Sequence, residues 1–412
     1  RLVYEVRIQT WGPPHLWVVI LDAHTGDRLF VADNVCSVDV TGQVSLGSLD
    51  GAGGAPPTAA FTVKPARSLY VAIVGGSSTL PDANGSFRIA NAGSGAVTVR
   101  GSFAGEWCTI ANKGGAGTQF SQGATPGTPV NIVLNGQHTH ELQTAEATAY
   151  HWVTSAHHFI KKRYTGYPGL KHLTTNVNLS GSCNAYFDGT SVNFYRAGGQ
   201  CNNMAAPDVI VHEWGHAFHS TFFGTIRNNG FSEGIGDHLS LYMSGQRLMG
   251  RGISTNPAMM RDYRLGGAAN QTRWPKTGQP SVHRDGEIWA GAMMDLRDNL
   301  VAKLGALAGK DLSEVLAIAP YARKPEDMPS ALVGIFLQDD NDANLNNGTP
   351  NFTEIAAAAD RHNLPRPPDP SIVQIVHTPL RDNGDVVNGQ AVSARITSPA
   401  GAITSAQLTF QI

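Results

Sequence analysis

Two hydrophobic periods alternate along this chain. Residues 1–34 carry strand-like runs, Leu2-Val3-Tyr4-Glu5-Val6-Arg7-Ile8 and Leu16-Trp17-Val18-Val19-Ile20-Leu21, and Asp22 to Leu29 reads as a tight turn into a third strand. Residues 35–135 continue with short β-like runs such as 68–74 and 97–100, broken by Gly, Pro, Asn and Asp. The loop Pro81-Asp82-Ala83-Asn84-Gly85-Ser86-Phe87 is strong turn chemistry between strands. From Gln143 to about Tyr164 the period becomes helical, with Ala147, Tyr150, Val153, Ala156, His157 and Ile160 at three- and four-residue steps. Strands return over 172–200, including 184–189 and 191–195. A helix is then predicted over 207–223, with Pro207 at its first position and Gly224 as its stop. Further helices are predicted at 233–249, 284–300, 311–318 and 350–362.

These shifts divide the chain. Residues 1–34 form β hairpins, 35–135 a small β-sandwich-like module, and 136–366 a mixed helical region. The stiff Pro365-Arg366-Pro367-Pro368-Asp369-Pro370 linker leads into β-alternation over 371–412. A whole sandwich needs about 100 residues, so that last piece reads as the start of a C-terminal β module.

Composition narrows the picture. Thirty basic and 32 acidic side chains leave a formal net charge of −2, which gives no reason to expect nucleic acid or an anionic membrane as partner. No apolar run approaches the ~18 residues of a membrane span. Charged residues are 15% and Gly is 46 of 412, a low-charge, Gly-rich surface common in secreted bacterial proteins. Of the four cysteines, none has C-x-x-C spacing, and three pairings are open. Local pairing, Cys183 with Cys201 and Cys36 with Cys108, is the economical expectation. The chain begins at Arg1 and reads as a processed or trimmed piece.

The chemistry gathers between Asp208 and Asp237. His212, Glu213 and His216 form an H-E-x-x-H pattern. Two residues four apart on a helix share one face, so both imidazoles can reach one metal ion. Glu213 follows His212 by roughly 100° of rotation, beside the metal without ligating it, which suits a general base. Glu233 opens the next helix and can complete a two-His, one-Glu zinc set. Asp237 lies four residues later on the same face and can orient a ligand imidazole, with His212 as the expected partner. Gly234 and Gly236, poor helix formers, look like concessions to close backbone approach. His283, ahead of Gly286-Glu287-Ile288-Trp289, is a candidate oxyanion stabiliser. An exposed edge strand beside the first helix can pair with an extended peptide. His151, His157 and His158 read as packing or surface residues. Asp340, Asp342 and Asn344 carry calcium-loop chemistry but lack the EF-hand Gly and terminal Glu, and a hydrogen-bonded turn is the plain alternative.

H-E-W-G-H, S-E-G-I-G-D and V-H-R-D-G-E-I-W-A together resemble the gluzincin metalloproteases, most closely the fungalysin family. In that family the second block commonly reads E-G-W-S-D and the third V-H-x-x-G-E-x-W-A. The resemblance covers about 140–362. It implies a multidomain α+β protein with a thermolysin-like, two-lobed catalytic domain (a zincin), its N-lobe about 136–223 and its C-lobe about 224–366. It implies zinc on His212, His216 and Glu233, base Glu213, and oxyanion help from His283. Asn184 and Ala185 resemble the substrate-binding edge strand of thermolysins and would hold the substrate backbone. The W-x-V-x-x-D-A-x-T-G run at Trp17 to Gly26 resembles the closing hairpins of an inhibitory prosegment, and a prosegment would act as the enzyme's own inhibitor. Three features depart from thermolysins. The 217–232 connector has no Tyr, Gly278 stands five before His283 where an Asp is usual, and only Arg261 and Arg264 are candidates for the substrate-clamping Arg.

The expectation is a secreted zinc endopeptidase acting on protein or peptide substrates, with zinc as cofactor and calcium as a second candidate. The rival readings are a surface- or glycan-binding adhesion protein with a secondary zinc site, a latent zymogen blocked by 1–34, and a peptidase restricted to glycosylated proteins.

Overall fold

The computed structural model describes residues 2–11, 14–34, 38–50, 60–91, 93, 95–167, 169, 172–224, 226, 228–256, 260–275, 281–370, 374–377, 392–397 and 406–407. Among them the chain is a mixed α/β protein with several sheets and seven α-helices. It divides into two compact units. The first comprises Arg1–Phe159, Pro168–Thr221 and Leu239–Arg261, the second Ile160–Tyr167, Phe222–His238 and Asp262–Ile412.

In the first unit, β1 (Val3–Trp11), β2 (Pro14–Asp22) and β3 (Arg28–Asp33) form an antiparallel three-stranded sheet. The Asp22 carboxylate accepts the His24 and Thr25 amides and closes the expected turn. Next come β4 (Val40–Leu49), β5 (Phe61–Pro65), β6 (Leu69–Ile73), β7 (Ser78–Thr79), β8 (Ser86–Ile89), β9 (Val97–Gly105), β10 (Cys108–Asn112), β11 (Gln119–Ala124) and β12 (Val130–Leu134). After α1 (Glu141–Arg163) follow β13 (Leu173–Leu179), β14 (Ala185–Phe187) and β15 (Ser191–Tyr195). One sheet runs β12-β4-β5, with β8 also on β4. A larger one runs β14-β15-β13-β10-β9-β6-β7, with β11 also on β9.

This larger sheet runs across the expected division near 135. β10 pairs in parallel with β13, Cys108 opposite Leu173, so strands from either side of that division share one sheet. Helix α1 touches both sheets. Trp152 Nε1 donates to the Leu49 carbonyl of β4, and the Tyr150 ring lies 5.8 Å from Phe103 of β9. Strand alternation is visible locally, but which strands join across a helix depends on contacts far apart in the chain.

The cysteines divide. Cys183 and Cys201 are bridged, as expected. Cys108 is not. It is a fully buried free thiol, 4.0 Å from Thr154 Oγ1, and burial pushes its pKa up to about 12. A side chain facing α1 from the sheet interior packs as a small hydrophobe, so the Cys36–Cys108 pairing is overturned. Cys36 itself lies outside the described residues, as does Gly278.

The remaining helices are α2 (Pro207–Phe218), α3 (Asn229–Ser244), α4 (Val282–Leu304), α5 (Ala306–Ile318), α6 (Met328–Asp339) and α7 (Phe352–Arg361). In the second unit α4 packs on α5 and α7. At its centre Glu314, 1% exposed, accepts from Arg297 Nη2 at 3.0 Å and Arg163 Nε at 2.8 Å, so the buried carboxylate is paired. Beyond residue 370, Gln374–His377 and Ala394–Thr397 form one antiparallel ladder. No helix among the described residues is long and apolar enough to cross a membrane.

Candidate metal centre

Helix α2 is buried at every residue except His216. Pro207 occupies its first turn after an extended Ala206 (φ −88°, ψ 147°). Asp208 anchors it: its Oδ2 accepts the Gly250 amide at 2.7 Å and its carbonyl accepts Ser240 Oγ at 3.0 Å. The α-helix ends at Phe218, and a π-helical turn, His219–Phe223, takes up the rest of the expected 207–223. On α2 the His212 and His216 rings stand perpendicular, their centroids 4.8 Å apart. Glu213 is buried beside them.

Helix α3 starts at Asn229 and ends at Ser244, shifted from the expected 233–249. The Asn228 side chain accepts the Phe231 amide at 2.9 Å, a capping bond that starts the helix four residues early. Glu233 is therefore inside the helix rather than at its start, and it is buried. One ligand atom from each of His212, His216 and Glu233 lies within 4.8 Å of the others, and among the described residues no other group of three His, Cys, Asp or Glu does this.

The donor set fits zinc. Two imidazoles and one carboxylate are a catalytic-type trio. Ligand atoms about 2.0–2.1 Å from a tetrahedral ion stand about 3.4 Å apart, so a spread of up to 4.8 Å closes by small side-chain torsions. Close packing also places Glu233. A Cβ on Gly286 would stand 2.6 Å from both the Glu233 Cβ and the Gly234 amide nitrogen, and one on Gly234 would stand 2.7 Å from the Trp289 Cβ. Gly234 is thus a site of close approach, as expected.

His283, the second residue of α4, brings Nε2 to 3.6 Å from Glu233 Oε2 while its side chain stays 55% exposed. Asp237 is fully buried and accepts a hydrogen bond from Tyr263 Oη. One residue on, His238 closes a second buried chain. Trp289 Nε1 donates to Tyr321 Oη at 2.9 Å, and the same hydroxyl is hydrogen-bonded to His238 Nδ1, also at 2.9 Å. Burial, with a smaller contribution from Arg297, pushes the His238 pKa down to about 3, in keeping with a neutral ring. Sequence reading missed Tyr263 and Tyr321, because each meets α3 from a distant segment with no local signature.

The expected edge strand is present. β14 pairs only with β15 among the described strands, antiparallel, and lies against α2. Asn184 immediately precedes β14 and Ala185 begins it; the Asn184 carbonyl accepts the Tyr195 amide at 3.2 Å. The Cys183–Cys201 bridge joins the start of this strand to the segment leading into α2.

Arg264 is exposed and held by Asp262, its Nε 2.9 Å from Oδ1. Arg261 is half-buried in a two-residue strand. The Asp340, Asp342 and Asn344 side chains accept the loop's own amides at residues 342, 344 and 346. His157 is buried between Trp107 and Trp214, a packing residue as expected.

No family model and no curated protein matches the chain. Among solved structures, the precursor of protealysin, a metalloproteinase from Serratia proteamaculans, is similar over 63% of this chain and 88% of its own, at 14% identity and a TM-score of 0.43. A likeness at that score carries no argument about activity.

Proposed function

We propose that the chain is a zinc-dependent endopeptidase, secreted, acting on extended protein or peptide segments. The observation that carries this reading is the convergence of His212, His216 and Glu233 beside a buried Glu213. Zinc, when bound, supplies Lewis acidity that acidifies a water and polarises a carbonyl. Glu213 takes the proton of the attacking water and delivers it to the leaving amine. His283, more than half exposed near the Glu233 carboxylate, donates to the developing oxyanion. Asp237 orients the His212 ring through its second nitrogen. The edge of β14 offers Asn184 and Ala185 to the substrate backbone. A disulfide in a low-charge chain supports an oxidising, extracellular setting.

The test is Glu213→Gln, which keeps shape and removes basicity. Hydrolysis of a protein substrate should fall by about 10²–10⁴-fold, while zinc content by metal analysis stays at one per chain. Wild-type hydrolysis with zinc still bound would overturn the mechanism.

A further inference from the structure

We propose that Tyr263 is a positioning residue for the metal centre, acting through Asp237; the inference rests on the zinc reading above. Tyr263 is 0% exposed and its Oη donates to Asp237 Oδ2. Asp237 is also 0% exposed and lies one helical turn after Glu233 on α3. A carboxylate offers about four lone-pair sites, so Asp237 can accept from the phenol and from an imidazole N–H together. Without a fixed donor, a buried carboxylate is free to rotate, and rotation alters what it presents to the imidazole.

Tyr263 suits the task. Its ring is rigid and packed, so the hydroxyl is held in place by the core rather than by a flexible stem. The backbone around it is also braced. Asp262 Oδ1 accepts both the Arg264 amide at 3.0 Å and Arg264 Nε at 2.9 Å, and the Gly267 amide donates to the Arg264 carbonyl at 2.7 Å. The phenol is neutral, so it fixes the carboxylate without adding charge near the metal.

A purely structural tyrosine would affect stability but not the metal in this selective way. The experiment is zinc affinity by chelator competition on Tyr263→Phe, Asp237→Asn and the double variant, with circular dichroism of each metal-free form. Tyr263→Phe is expected to weaken zinc about tenfold, within the range for outer partners of metal ligands. In the Asp237→Asn background the same change should cost under about twofold, because the route is already broken. Tyr263 replaced by 4-aminophenylalanine, which keeps ring and donor, should stay within about threefold of wild type and tests the idea even if the phenylalanine variant fails to fold. Unchanged affinity in Tyr263→Phe, an equal loss in both backgrounds, or a tenfold loss with the amino analogue would overturn the inference alone. A wild-type protein that takes up no zinc would overturn the zinc reading and this inference with it.

Discussion

His157 shows how a single residue's surroundings set its chemistry. Its ring stacks on Trp107 at 4.7 Å and meets Trp214 at 5.1 Å and 75°. Burial, reinforced by His158 and His172, pushes its pKa down to about 3. The unfolded chain protonates this histidine near 6.5, so between about 6.5 and 3 the unfolded state binds more protons. Its contribution to stability is therefore complete above about 6.5 and is lost progressively as the pH falls toward about 3. Urea unfolding of chelated protein should lose roughly 1.4 kcal/mol per pH unit across this window from His157. His157→Phe should lose that much less between pH 6.5 and 5. Identical slopes for variant and wild type would contradict the assignment. The helical period placed His157 on a packing face; the two indoles around it come from distant segments.

At the scale of elements, α3 and α4 meet through glycine. Gly286 sits against the Glu233 Cβ and the Gly234 nitrogen, where an added Cβ would be 2.6 Å from both. Gly286→Ala must push the helices apart, at a cost of about 1–3 kcal/mol, and should carry Glu233 away from the two histidines. Gly123→Ala, which meets nothing within 4 Å, serves as control. Thermal melts and zinc competition should show both losses in the first variant and no loss of zinc affinity in the second. Full zinc affinity in Gly286→Ala would show that this contact does not position Glu233. The helices themselves were readable to different degrees. α1, α4 and α7 lie close to their predicted spans because each has an apolar stripe, and α5 (Ala306–Ile318) starts well before its predicted 311–318. α6 was not anticipated. Its run Met328-Pro329-Ser330-Ala331-Leu332-Val333-Gly334-Ile335-Phe336-Leu337 is apolar on nearly all sides, which erases the period. Its start was nonetheless written locally, as the reciprocal Asp327–Ser330 capping box.

For the molecule as a whole, the proposed ligands come from two helices, so metal binding should be coupled to folding. With zinc at about 1,000 times its dissociation constant, linkage predicts about 4 kcal/mol of stabilisation. Calorimetry should show a melting temperature that rises with zinc, falls with chelator, and responds much less in Glu233→Ala. A zinc-independent melt in the wild type would speak against a site formed by the folded chain. At the same scale, β10 and β13, from either side of the expected division near 135, pair in register from Cys108–Leu173 to Asn112–Val177.

What the sequence determined by itself is what lies within a helical turn or a strand repeat. His212, Glu213 and His216 need only a 3.6-residue period to share a region of space, and the edge strand needs only its alternation. Glu233 was legible because its block stands in a recognisable spacing after the first. The fate of Cys108, the sheet shared across α1, the Gly234–Gly286 contact and the Tyr263–Asp237 bond were decided by tertiary structure. Each joins residues far apart in the chain, and such a contact leaves no period in the local sequence because its geometry is set only when the intervening elements have packed.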